Sequence, residues 1–368
     1  MSIPRDLRDL HSELGARFDG ERLLDYGSPE VELRALRETC GLFDRSDRGK
    51  LRLTGSERVG FLHGQVSNDV KSLEPGRGQY TALLTPKGSM VADGRILLRA
   101  DDALLDTEPG REGTVRELLE HHLISEDVEL SDVTAAYALF SLLGPASPEV
   151  VASALGGTRP HLDEHRHCDR QGVLVVGTRL GGVEGLDLLV PSPRAALVLG
   201  SLVERGKPLG LSPVGLTAME IARVEAGVPR FSADMDEETI PLEAGLTERA
   251  LSFTKGCYVG QEVIARASYR GAVRRKLSGF RLPDAGALPT GRVVLFKTAG
   301  DTKSAGELTT TVQSPRFGAI ALGYARREHQ APETELVTAD GRKAVVCALP
   351  FGPPPGPRPA GGGARDAP

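Results

Sequence analysis

Tryptophan is absent from this 368-residue chain, and aromatic residues make up only 4% of it. That scarcity excludes a broad base-stacking platform for single-stranded nucleic acid. Cysteine is equally sparse. Cys40, Cys168, Cys257 and Cys347 lie far apart and form no CxxC pair, so no sequence-local zinc knuckle, redox dithiol or cluster-binding run is present. No apolar run reaches the ~20 residues that span a bilayer, and MSIPRDLRDLHSELGARF lacks the apolar core of a signal peptide. The expectation is a cytoplasmic protein with reduced thiols and no membrane contact. A strong charge of one sign is missing too. The net charge of -5 gives no general pull toward nucleic acid or anionic lipid, so any polyanion must meet a local patch. What is there is a globular composition, 40% hydrophobic and 26% charged, long enough for two or three packed units.

Along the chain, Leu7, Leu10 and Leu14 recur at helical spacing. GKLRLTG alternates as a half-buried strand, and SERVGFLHGQV predicts a helix with Ser56 as its N-cap. QYTALLTPKGSMVADGRILLRADDALLDTEP breaks into strands at Pro86–Gly88 and Ala100–Asp102. SPRAALVLGSLVERG and SPVGLTAMEIARVEAG each predict a helix opened by Ser-Pro, at 192–193 and 212–213, and stopped by glycine, Gly206 and Gly227. Strands and helices mix without a βαβ rhythm, which argues α+β. From about residue 275 short strands alone remain and predict a small β-barrel over 275–350. The Pro/Gly-rich end, 351–368, cannot bury a core and is expected to be disordered.

One stretch stands apart: FTKGCYVGQEV, 253–263. A thiol reacts as its thiolate, and a neighbouring cation or helix N-terminus favours that form. Lys255 is the cation, and Val259–Ala267 predicts the helix. Gly256 and Gly260 permit unusual backbone angles or close approach. The competing reading is a small buried cysteine on an ordinary turn.

KGCYVGQE at 255–262 resembles the signature of the YgfZ family, folate-binding relatives of the glycine-cleavage T-protein (aminomethyltransferase). GLFDRSDRGKLRLTGSERVGFLHGQVSNDV, QYTALLTPKGSMVADGRIL, IARVEAGVPRF and TIPLEAGL occur in family order, so the resemblance covers roughly 28–350. It implies an α+β, three-lobed folate-binding fold: a helical extension over 1–27, a T-protein-like region of two interleaved lobes over 28–274, then the barrel. It also implies tetrahydrofolate as cofactor. The function it implies is an accessory role in assembling or maintaining iron–sulfur enzymes, tRNA-modifying ones included, with those enzymes as partners and Cys257 as the functional thiol.

Residues carry over singly. T-proteins place two adjacent aspartates where this chain has Ala92 and Asp93. Only Asp93 is kept, as a carboxylate for general-base or cation-stabilising work; a turn-capping aspartate is the competing reading. Arg223 suits the carboxylates of a folate tail and Glu225 the donor face of a pterin, although an inter-helix ion pair is the commoner fate of such residues. Glu184 falls in a segment similar to the T-protein pterin-reading loop. Tyr80 has the shape to stack on a ring or fill a core, and Gln261 and Lys255 complete the signature set. Arg266, Arg270, Arg274, Arg275 and Lys276 form a patch suited to a polyglutamyl tail or RNA phosphate, or simply a solvated face. His161, His165, His167 and Cys168 are metal-ligand types, but their polar loop and the family resemblance offer them no metal role, and no metal site is expected. Two other functions compete. A folate-dependent aminomethyltransferase lacks the signature cysteine and keeps the aspartate missing at 92. A cysteine-nucleophile enzyme needs a base such as His63 or His165 beside Cys257.

Overall fold

The computed structural model describes residues 3–352, apart from 270, 272 and 285. In chain order the first half runs α1 (Arg5–Glu13), β1 (Arg17–Asp19), β2 (Arg22–Asp25), α2 (Pro29–Glu38), β3 (Cys40–Asp44), β4 (Gly49–Thr54), α3 (Arg58–Gln65), β5 (Arg77–Leu84), β6 (Met90–Leu98), β7 (Ala103–Thr107), α4 (Glu112–His122), β8 (Glu129–Asp132), β9 (Tyr137–Leu143) and α5 (Ser147–Leu155). The second half runs β10 (His167–Arg170), β11 (Val173–Leu180), β12 (Val183–Pro191), α6 (Ala195–Gly206), β13 (Leu211–Pro213), α7 (Leu216–Glu225), α8 (Thr247–Ala250) and α9 (Gln261–Tyr269). Six strands close it: β14 (Arg275–Arg281), β15 (Val293–Phe296), β16 (Ser304–Ser314), β17 (Gly318–Arg326), β18 (Glu335–Thr338) and β19 (Lys343–Cys347).

Two sheets form the centre, one in the order β5-β6-β7-β4-β8 and the other β10-β11-β12-β9-β3-β13. Each buries both faces, and the two-residue period of its strands assigns them. On β6, Ala92, Ile96 and Leu98 join Leu51, Leu53 and Leu105 in an apolar cluster with Phe61 and Leu62 of α3 and Val115 and Leu119 of α4. On the second sheet, Leu42, Phe140, Leu142, Val175 and Leu188 pack with Val150 of α5 and Val198, Leu199 and Leu202 of α6. The remaining faces turn toward each other. Leu97 and Leu104 meet Leu139, Leu174, Val176 and Leu189, while the rest of this inner surface is polar.

Strands β14–β19 close into a barrel in the order β14-β17-β16-β15-β18-β19. Helix α7 joins it to the second sheet. Ala218, Ile221 and Val224 pack with Leu33 and Leu36 of α2 and with Val312, Ile320 and Tyr324 of the barrel. The mixed helix and strand content with a terminal barrel is the fold class expected from the sequence.

Three helix starts differ from expectation. Ser192 does not cap α6; its hydroxyl donates to the Ala135 carbonyl at 2.6 Å, and the helix opens at Ala195. Ser56 does not cap α3; its hydroxyl donates to Asp127 Oδ2 at 2.7 Å, and the helix opens at Arg58. Ser212–Pro213 does not open α7. These residues extend as β13, parallel to Gly41–Leu42, and the helix waits for Gly215, where a Cβ would lie 2.3 Å from the Leu24 carbonyl oxygen. A Ser-Pro pair satisfies a strand edge as readily as a cap, because proline needs no donor there. The tail expected to be disordered lies outside the described residues from 353 onward. Phe351 before it is buried, and its N–H donates to the Glu225 carbonyl at 2.9 Å.

Candidate functional site

Charged residues interrupt largely apolar strands at Arg95, Asp106 and Asp187, and all three meet in the space between the sheets. Tyr80, Arg95, Asp106 and Lys50 are successive cross-strand partners on β5, β6, β7 and β4, so they form one row on the inner face. Asp187 stands opposite Ser141 on the second sheet. Arg95 Nε donates to Asp106 Oδ2 at 2.6 Å, and its Nη2 lies 2.6 Å from Asp187 Oδ2. Arg48 Nε donates to Asp106 Oδ1 at 2.6 Å, and Arg48 also pairs with Glu108. Arg45 Nη1 donates to Ser141 Oγ at 3.2 Å and to Asp187 Oδ2 at 3.4 Å. Burial alone would raise the Asp106 carboxyl, but Arg48, Arg95 and Arg45 together hold it well below the usual carboxylate range. Taking one partner from such a buried network costs about 3–5 kcal/mol, because an unpaired buried charge remains.

Lys50 is buried, and burial pushes its ammonium down to about 8. Its Nζ donates to the carbonyls of Arg48 and Ser46 at 2.8 and 3.2 Å. At the other end of the row the Tyr80 hydroxyl donates to Asp93 Oδ2, and the Arg249 guanidinium lies 4.4 Å above the Tyr80 ring. Asp93 Oδ1 is buried with no hydrogen-bond partner. Burial, then the nearby Glu108, push the Asp93 carboxyl up to about 6, against the opposing influence of Tyr80 and Arg48. His165 sits near the same network at positive φ, and its Nδ1 is likewise unpartnered. Burial, then Arg95 and Arg249, push its ring down to about 3, so it is neutral.

A cavity of about 480 Å3 opens beside this network, within the ~300–1,000 Å3 usual for a small-molecule site. Phe43, Leu180, Met219 and Phe231 supply apolar wall, and Arg45, Arg48, Glu108 and Arg230 supply charge. Ile3 and the β1–β2 hairpin residues Glu21 to Leu23 also line it.

The sequence-based candidates divide around this centre. Asp93 and Tyr80 meet in it. Arg223 lines the cavity, but its guanidinium is committed: it donates to Glu220, Asp234, the Val228 carbonyl and Thr310. Asp234 also accepts from Thr309 at 2.5 Å, so Arg223 locks α7 to the barrel. Glu225 accepts from Arg37 at 2.5 Å and from Ser314 at 2.7 Å, another such tie. Glu184 is exposed at the far end of β12, 3.5 Å from Arg179. Asp187, three residues on, is the acid that reaches the centre.

The signature stretch serves as a fastener. Lys255 Nζ donates to the carbonyls of His63, Val66 and Asn68 at 2.5, 2.5 and 3.0 Å, around the C-terminal end of α3, where carbonyls lack helical partners. Burial pushes this ammonium down to about 8. Gly260 has φ of +83°, and a Cβ there would lie 2.5 Å from the Thr85 carbonyl oxygen. Gln261 Oε1 accepts from the Tyr258 N–H at 3.3 Å. Cys257 is free and exposed, four residues before α9. The two histidines named as bases are engaged elsewhere: the His63 ring lies 3.2 Å from Asp69 and accepts from the Lys71 N–H, and His165 lies in the central network. Of the basic patch, Arg275 pairs with Glu243 and Glu307, Arg266, Arg274 and Lys276 are exposed, and Arg270 lies outside the described residues. Both His167 ring nitrogens face backbone carbonyls. Among the described residues no group of three or more His, Cys, Asp or Glu side chains is arranged to hold a metal, and no helix is long and apolar enough to cross a membrane.

Ala92, whose lost carboxylate argued against aminomethyl transfer, faces the helix-packed side of β6 and is fully buried in apolar surroundings. A carboxylate there would not reach the inner face, where Asp93 stands.

Comparison with known proteins bears on the same point. The family model for the GCVT N-terminal domain matches residues 11–255. The aminomethyltransferase of Halalkalibacterium halodurans is 30% identical over 359 residues, covering 94% of this chain and 96% of its own length. That of Streptomyces coelicolor is 30% identical, covering 93% and 95%. The crystal structure of glycine cleavage system aminomethyltransferase T from Bartonella henselae superposes with a TM-score of 0.85 over 95% of this chain and 97% of that one, at 22% identity. These relatives overturn the expectation of an accessory protein for iron–sulfur enzymes and favour the aminomethyltransferase reading set beside it.

Proposed function

The chain belongs to the GCVT family, and from that premise we propose that it is a folate-dependent aminomethyltransferase with Asp93 as the group that handles the proton. Family membership carries tetrahydrofolate as the cofactor, and the donor set fits a reduced folate in kind. A pterin presents N–H groups that a carboxylate accepts, and its flat ring suits the apolar wall of Phe43, Met219 and Phe231. A folate tail presents carboxylates that suit an arginine fork. Arg230, one-third exposed and engaged with Glu220 through Nε, is better placed for that work than the committed Arg223. When bound, the folate supplies the nitrogens that receive the one-carbon unit. The chain's own residues exclude water, hold the ring and move a proton at Asp93 Oδ1.

The observation that carries this reading is Asp93 itself. Its Oδ2 is fixed by Tyr80, its Oδ1 is buried without a partner, and a carboxyl pushed to about 6 is suited to both giving and taking a proton near neutral pH. The test is turnover of an aminomethylated lipoyl carrier with tetrahydrofolate. Asp93→Asn is expected to lower kcat/KM about 10²–10⁴-fold, the usual range for a general acid–base group, with folate binding kept. No turnover by the wild type under conditions where folate binds refutes the reading.

Within the family, the octapeptide Lys255–Glu262 supports a YgfZ-like branch as the finer placement. Exposed Arg266, Arg274 and Lys276 suit a polyglutamyl tail. A salt-sensitive preference for polyglutamylated over monoglutamyl folate tests that contact.

A further inference from the structure

Asp93 does not stand alone on its face of the sheet. The β6–β7 ladder ends with Gly94 opposite Thr107, and the β4–β7 ladder with Gly49 opposite Thr107. One step beyond both ladders, Asp93, Glu108 and Arg48 fall side by side on the inner face. Arg48 pairs with Glu108. The other cations around Asp93 are held elsewhere: Arg95 by Asp106 and Asp187, Arg45 by Ser141 and Asp187, Lys50 by two carbonyls, and Arg249 above the Tyr80 ring and paired with Glu164. The groups facing Asp93 from its neighbours are Tyr80, which donates to Oδ2, Arg48, which is shared between Asp106 and Glu108, and Glu108, a second carboxylate.

Neighbouring carboxylates do not both ionise readily, and here Asp93 is buried while Glu108 is half-buried and held by Arg48. We propose that Glu108 is a positioning residue for the transfer reaction: anchored by Arg48 beside Asp93, it holds a proton on Asp93, so that this carboxyl serves as an acid rather than as a bare carboxylate. This rests on the reading of Asp93 given above. Glu108 also lines the cavity, so it links the space where a ligand sits to the proton it meets.

The experiment is a pH titration of the ligand-free full-length protein by infrared difference spectroscopy. It follows the protonated-carboxyl band that Asp93→Asn removes. In the wild type this band is expected to titrate near 6. In Glu108→Gln the midpoint is expected at least about one unit lower, a tenfold change in proton affinity. Glu108→Asp, which keeps the charge, is expected to hold the midpoint near the wild-type value. A role in packing alone moves both variants alike, so equal midpoints in wild type and Glu108→Gln, or equal shifts in both variants, overturn the proposal. If Glu108→Gln does not fold, Glu108→Asn removes the charge by a second route. Failure of the transferase reading shows separately, as absent turnover in a wild type whose carboxyl still titrates as described. If both hold, the acid limb of kcat/KM moves with the infrared midpoint.

Discussion

Replacing Gly260 by alanine tests whether the signature loop is a mechanical fastener. The cost has two parts. Gly260 has φ of +83°, where an L side chain costs about 1–2 kcal/mol. The new Cβ would also lie 2.5 Å from the Thr85 carbonyl oxygen and 3.2 Å from the Gly88 Cα. Both are backbone atoms that no rotamer change can move, and relieving such a contact costs about 1–3 kcal/mol. The sum is about 2–5 kcal/mol. Gly256, four residues earlier in the same loop, supplies the control: it is exposed, and a Cβ there meets nothing within 4 Å. Thermal unfolding should show Gly260→Ala lowered by about 4–20 °C, taking about 2–4 °C per kcal/mol for a unit of this size. Gly256→Ala should stay within about 2 °C. Equal melting temperatures for the two variants would falsify the fastener account and return the loop to a purely chemical role.

Asp93→Asn has a signed pH dependence. The folded carboxyl is raised to about 6 from 3.8, so its contribution to stability is fully present below about 4 and is lost as pH rises through 6. Relative to wild type, the asparagine variant should therefore gain about 2–3 kcal/mol between pH 4 and pH 8, read by urea unfolding at both; a pH-independent difference contradicts the buried, proton-holding carboxyl. Ala92→Asp should lose about 3 kcal/mol or more at neutral pH, because it places a carboxylate among Leu51, Ile96 and Leu105 without a partner; a folded variant with higher turnover would show that position 92 reaches the site. Cys257→Ala should keep turnover within about twofold and stability within about 0.5 kcal/mol, as for most exposed positions; a tenfold fall in turnover at unchanged stability would give the thiol a chemical role.

Much of the fold was legible because period and composition carry it. The alternation of GKLRLTG marks β4, and the loss of helical spacing after 275 marks the barrel strands. The Ser-Pro starts were misread at 212–213, since the parallel pairing with β3 that claims those residues comes from a segment about 170 residues away. The site was legible in part. Asp93 was named from the family resemblance and Tyr80 as a stacking or core aromatic, and the structure brings the two together, while Arg95, Asp106 and Asp187 were passed over. Their signal was present as charges bordering apolar runs in RILL, ALLD and GLDLLVP, which strand periodicity alone reads as outward-facing. Only the face-to-face packing of two sheets turns them inward. Arg223 was expected at a folate tail and Lys255 beside the thiol, because a sequence shows a cation but not its acceptors; here α7–barrel ties engage Arg223 and backbone carbonyls engage Lys255. For Cys257 the missing fact was exposure, a property of the folded loop: the thiol is exposed, so the buried-cysteine reading fails.

The strict alternation of β6 has a consequence for how this chain can vary. Exchanges of side chain along Ala92–Leu98 act one position at a time, but deleting or inserting one residue there would send Asp93 and Arg95 to the helix-packed side and bring Ala92 and Ile96 inward. The inner-face charges and the apolar core would be lost in one event. The irregularity in the ladder between Leu83 and Leu84, where the partner strand steps from Ala92 to Met90, offers a place where a change of length can be absorbed without reversing the strand. In descendants of this gene, length changes in this hairpin should collect at that irregularity and at the Pro86–Ser89 turn, and be purged from the seven residues that follow it.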